Sequence, residues 1–125
     1  MRRFALPLAA LVLLGAGCGG NDRPGGTVTT PPGGGLSVVG KEYSFDPSTI
    51  VVSGPGTLRV TLRNEGSLAH NLKLMRDGRE VGGTPSFPSG ESRTAQLRLE
   101  SGEYEYVCTV GDHAELGMKG TLKVD

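Results

Sequence analysis

The chain has 125 residues, room for one small domain, and its 13 basic residues balance 13 acidic ones. Setting Arg2 and Arg3 aside with a leader leaves a slight acidic excess, which excludes the basic face that a nucleic-acid binder needs. Aromatic residues make up only 5% and tryptophan is absent, so the core must be mostly Val, Leu and Ile.

Met1 to Gly17 reads as an export signal of the lipoprotein type. Arg2 and Arg3 form its basic start, and Phe4 to Leu14 is an apolar run too short to span a bilayer as a stable helix. Gly15, Ala16 and Gly17 are the small residues a peptidase needs, although Gly15 stands where such signals usually carry Leu. Cys18 follows where a bacterial lipoprotein places its lipidated cysteine. The expectation is an extracytoplasmic protein, in the periplasm or on the outer face, lipid-anchored to the cell membrane through Cys18. Residues 18–35 contain GGNDRPGGTVTTPPGGG, with almost nothing apolar to bury. They are expected to form a flexible linker whose removal leaves thermal stability unchanged. The folded domain is expected over residues 36–125.

Leu36 to Val39 is the first predicted strand. Tyr43 and Phe45 supply bulk before a turn at Asp46-Pro47, and Ile50 to Ser53 continues as a strand up to Gly54-Pro55-Gly56. Thr57 to Arg63 alternates apolar and polar residues, the mark of a strand with one buried face. Asn64-Glu65-Gly66 turns the chain into a strand over Ala69 to Arg76, closed by Asp77-Gly78. Glu80 to Gly90, rich in Gly and Pro, reads as a long loop. Arg93 to Leu99 alternates again, Glu103 to Val110 is rich in β-branched and aromatic residues, and Met118 to Asp125 closes the domain. No segment has a helical stripe. Seven to eight short strands with regular turns predict an all-β fold, a Greek-key β-sandwich or barrel.

The chemistry concentrates in EYEYVCTVGDHAELGMK, Glu103 to Lys119. Cys108, His113 and Met118 follow one another at equal spacing, and His70, followed by Asn71, stands earlier in the chain. Two imidazoles, a thiolate and a thioether are the ligand set of a mononuclear blue-copper site. Taken alone, each residue has an ordinary reading: a surface histidine, a small buried thiol, a core methionine. Together they say more, because the domain has only two histidines and one cysteine and all fall where copper would use them. Cys18 and Cys108 are not expected to pair, since each has its own explanation. A lone thiol outside the cytoplasm tends to be paired, oxidised or held by a metal. A methionine ligand favours copper over structural zinc. The chain lacks the further histidines of a copper enzyme and the second loop cysteine of a binuclear centre, so electron transfer fits better than catalysis.

The segment FDPSTIVVSGPGTLRVTLRNEGSLAHNLKL and the loop CTVGDHAELGM resemble the central strands and ligand loop of the cupredoxins, the plastocyanin and azurin family. The loop spacing is closest to that of rusticyanin, and the resemblance covers Leu36 to Asp125. It implies one copper held by His70, Cys108, His113 and Met118, with Asn71 and Thr109 tying the two ligand-bearing segments by hydrogen bonds. It implies a redox protein donor and acceptor as partners. Ala114, Leu116, Phe87 and Pro88 are expected to form an apolar rim around the histidine edge, while Asp112 and Glu115 are expected to be solvated. A monomer is expected. Copper storage, delivery or resistance is the competing function, and the lack of a Met- or His-rich tract argues against it.

Overall fold

The computed structural model describes residues 25–125, so the expected signal peptide and Cys18 with its expected lipid lie outside the described residues. The strands are β1 (Thr27–Thr30), β2 (Gly35–Lys41), β3 (Ser44–Asp46), β4 (Thr49–Val52), β5 (Gly56–Asn64), β6 (Lys73–Arg76), β7 (Arg79–Gly83), β8 (Ser92–Leu99), β9 (Gly102–Val107) and β10 (Lys119–Val124). They form a six-stranded sheet, β1-β4-β10-β9-β6-β7, and a four-stranded sheet, β3-β2-β5-β8. The described residues contain strands and turns and no helix. This is the all-β sandwich that the alternation in the sequence predicts.

The alternation places the core. Leu58, Val60 and Leu62 of β5, with Ala95, Leu97 and Leu99 of β8, turn inward from one sheet. Ile50, Val52, Tyr104, Tyr106, Leu122 and Val124 turn inward from the other. Tyr106 lies across Gly120, its register partner on β10, and a Cβ at Gly120 would collide with its ring. The Tyr106 hydroxyl donates to the Pro47 carbonyl at 2.7 Å, and burial, helped by Asp46, pushes its pKa up so that it stays a donor.

Three elements differ from the sequence reading. Asp77 and Gly78 both take positive φ, 50° and 76°, the geometry of a tight hairpin turn. The following residues therefore fold back on β6 as β7, where a loop was expected. Second, β6 is shorter than expected: His70 lies outside it, in an isolated bridge with Phe87. Third, the linker expected through Gly35 includes a strand. β1 pairs in parallel with β4, the other side of β4 pairs with β10, and Thr30 is buried. The β-branched run Thr27-Val28-Thr29-Thr30 has little to bury, but it can extend a sheet edge through its backbone.

The topology gathers chain ends at one pole of the sandwich. Val107 at the end of β9 is in register with Lys119 at the start of β10 and Lys73 at the start of β6. In the facing sheet, Gly40 near the end of β2 is in register with Asn64 at the end of β5.

A chain beginning at Leu36 lacks β1 and leaves one side of β4 unpaired. It is expected to unfold at least about 4 °C below a chain beginning at Gly25, the change that a loss of about 1 kcal/mol produces in a domain of this size. Equal melting temperatures by calorimetry would return β1 to the linker.

Candidate metal centre

His70 reaches the pole on the connection between β5 and β6. Asn64 shapes that connection from a buried position. Its Nδ2 donates to Leu68 O at 2.9 Å and to Phe87 O at 3.2 Å, and its Oδ1 accepts from Gly66 N–H at 3.0 Å. The His70 N–H then donates to Phe87 O at 3.2 Å, and Phe87 N–H donates to His70 O at 3.1 Å. A ligand outside regular strand is thus held by backbone pairing on both its polar groups.

Cys108 follows β9 directly and donates its N–H to Met118 O at 3.1 Å. His113 N–H donates to Val110 O at 3.1 Å, and Met118 N–H donates to His113 O at 3.0 Å. Gly111 (φ 49°) and Gly117 (φ 112°) take turn conformations that a side chain would resist. Cys108, His113 and Met118 are therefore cross-linked through their own backbones.

The side chains converge. Cys108 Sγ is 3.8 Å from His70 Nδ1 and 3.5 Å from His113 Nδ1, and the two Nδ1 atoms are 3.2 Å apart. All three residues are buried. These separations are those that one ion with bonds of roughly 2.0–2.3 Å would span. The fourth residue, Met118, is fully buried, and its methyl lies 3.3 Å from where a Cβ at Gly40 would stand. Glycine at position 40 makes room for the thioether.

The protonation of His70 suits a ligand. Burial lowers its pKa, which favours the neutral ring, and the nearby Glu42 carboxylate only partly opposes this. Hydrogen bonds, first of all from the Leu68 N–H, lower the Glu42 pKa, so its carboxylate is ionised and can only accept. Glu42 Oε1 stands 3.3 Å from His70 Nε2. This contact suits a ring protonated at Nε2, with Nδ1 facing the centre.

Asn71 and Thr109 make the tie that the resemblance implied. Asn71 Oδ1 accepts from Thr109 N–H at 2.8 Å, and Nδ2 donates to Thr109 Oγ1 at 2.9 Å and to Ser86 Oγ at 3.0 Å. The residues after each of two ligands are thereby bonded to one another. The expected apolar rim is corrected at one point: Phe87 is buried in the core, because its backbone pairs with His70, while Leu116 and Pro88 are exposed and Ala114 is half-buried. Asp112 and Glu115 are exposed.

Two residues escaped the sequence reading. Glu42 and Tyr43 form the β2–β3 turn, and Tyr43 meets His113 edge-on with ring centroids 5.1 Å apart. No spacing marks them, since Glu42 lies 28 residues from the histidine it contacts and on the facing sheet.

A β-sandwich that gathers two imidazoles, a thiol and a thioether at one pole is built as a mononuclear type 1 copper protein. Residues 35–125 match the family described as copper binding proteins, plastocyanin/azurin family, and the chain belongs to that family. Its cofactor is one copper ion, and His70, Cys108, His113 and Met118 are arranged to hold it. Among solved structures, the reduced auracyanin of Roseiflexus castenholzii is 20% identical, with a TM-score of 0.68 over 73% of this chain and 96% of its own. Auracyanin A of Chloroflexus aurantiacus, described as a blue copper protein, is 22% identical, with a TM-score of 0.63 over 80% of this chain and 100% of its own. Rusticyanin of Thiobacillus ferrooxidans is 24% identical, with a TM-score of 0.63 over 79% and 82%. At these identities the likeness is one of fold. Among curated protein sequences none matches this chain.

Asn71→Ala is expected to destabilise the metal-free domain by about 0.5–1.5 kcal/mol, the net worth of its hydrogen bond to the exposed Thr109. Denaturant unfolding of parent and variant measures it. An unchanged midpoint would show that the tie adds nothing to stability.

Proposed function

We propose that this protein is a membrane-tethered, extracytoplasmic blue-copper protein that carries single electrons between a redox protein donor and acceptor. One observation carries the reading: Cys108, His70 and Met118 have no solvent exposure, whereas His113 is 6% exposed. The ligand set is closed to substrate and touches the surface through one imidazole.

Copper bound to two imidazoles, a thiolate and a weak thioether supplies a one-electron couple whose coordination changes little between oxidation states. The chain's part is to keep the four side chains from moving. The cross-bonded loop holds Cys108, His113 and Met118, and the Phe87 bridge holds His70. The Asn71–Thr109 tie stops the two halves drifting apart. Among the described residues no carboxylate pair or further histidine stands at the centre, which supports the role of a carrier. Leu116, 51% exposed on the ligand loop, gives an apolar contact beside His113 on which a redox partner could seat.

The tether rests on the sequence. Met1 to Gly17 has the form of an export signal, and Cys18 stands where a lipid is added. Mass spectrometry of the membrane-extracted protein is expected to find a diacylglyceryl or triacyl group on Cys18. An unmodified Cys18 in a fully soluble mature protein would remove the tether.

The copper-loaded domain is expected to be intensely blue when oxidised and to give a reversible one-electron wave in voltammetry. Cys108→Ser should abolish the colour, because a hydroxyl cannot supply the sulfur-to-copper charge transfer. A colourless parent complex with ordinary tetragonal spin-resonance parameters would sink the type 1 assignment. A blue protein that loses its copper on each reduction would instead favour copper delivery.

A further inference from the structure

We infer that Glu42 is a positioning residue for the copper ligand His70, and that its negative charge, delivered through the imidazole, lowers the reduction potential of the site. The inference rests on His70 binding copper through Nδ1.

Glu42 is held in place from three sides. Its Oε1 accepts the N–H groups of Ser67 and Leu68, each at 2.7 Å, and stands 3.3 Å from His70 Nε2. The carboxylate thus bridges the β2–β3 turn on one sheet and the connection that carries His70 on the other. Its side chain is 27% exposed, and that of His70 is wholly buried. The charge is partly shielded from water on the side that faces the ring.

Gly66 makes this contact possible. A Cβ at position 66 would lie 2.7 Å from both carboxylate oxygens and 2.8 Å from His70 Nε2. Any other residue there must displace the carboxylate, the ring or both. The backbone of Gly66 is not in the left-handed region, so its lack of a side chain, and not its freedom, is what the site uses.

The chemistry follows from the pairing. A carboxylate that accepts the Nε2–H of a ligand histidine fixes its tautomer, holds its plane and makes Nδ1 a stronger donor. Cu(II) carries one more charge than Cu(I), so stronger donation and a nearby negative charge both favour the oxidised ion. A carboxylate that merely pinned the loop would fix Ser67 and Leu68 and leave the copper equilibrium alone.

Glu42→Gln separates the two roles. The amide oxygen can still accept from Ser67 and Leu68, so the loop should stay pinned and the metal-free melting temperature should change little. The preference for Cu(II) over Cu(I) should fall about tenfold, the lower end of what losing such a partner costs a metal site. For one electron that is a rise in potential of about 59 mV. Glu42→Asp keeps the charge and should restore part of the shift. In the metal-free parent, long-range nitrogen NMR should find His70 with its proton on Nε2. A blue Glu42→Gln protein with the parent's potential would overturn the inference, and so would an Nδ1–H tautomer in the metal-free parent. A colourless parent would instead strike the copper site itself.

Discussion

Two buried imidazoles whose Nδ1 atoms stand 3.2 Å apart, with the Cys108 sulfur closing the triangle, form an arrangement that their own side chains do not hold in place. Three polar donor atoms brought this close in a poor dielectric need either shared protons or a cation between them. The arrangement persists only because the surrounding scaffold determines where each ligand backbone goes. Much of the polar bonding near the pole serves that end. Asn64 shapes the approach to His70, Phe87 pairs with it, and Asn71 clasps Thr109. Met118 bonds back to both Cys108 and His113.

Topology makes this economical. β9 is flanked by β10 and β6, and it runs antiparallel to both. The end of one strand therefore lies beside the starts of two others, and ligands placed just outside these three ends meet without long loops. The facing sheet contributes no ligand. It supplies what surrounds them: the open space at Gly40 for the Met118 methyl, the Glu42 carboxylate behind His70, and the Tyr43 ring against His113. One sheet binds and the other supports, and the core between them fixes their separation.

What could be read from the sequence follows the same division. Alternation revealed β5 and β8 because each buries one face, and a rare combination of soft and imidazole ligands revealed the metal residues. Asn71 and Thr109 were reached through resemblance, since nothing in their types distinguishes them from ordinary strand residues. β1 was missed because its contribution is backbone pairing at a sheet edge, which composition does not report. β7 was missed because Arg79 to Gly83 packs almost no apolar side chain and depends on the turn at Asp77-Gly78. Phe87 was placed on the surface because a Pro-rich stretch suggests a loop, whereas its bridge to His70 draws the ring inward. Glu42 acts across sheets, and no local pattern encodes a contact of that kind.

The two histidines are not equivalent, and the difference gives the site a direction. His70 is sealed, with an ionised carboxylate at its far nitrogen. His113 reaches the surface and has an aromatic edge beside it, and among the described residues it has no carboxylate partner. Placing the charge behind the sealed ring lets it act on the metal through a ligand without standing in the path of an approaching partner. Placing the aromatic ring beside the open histidine covers its flank with apolar surface, which favours contact with another protein over contact with water. On the carrier reading, one imidazole sets the energy of the electron and the other gives it a way out.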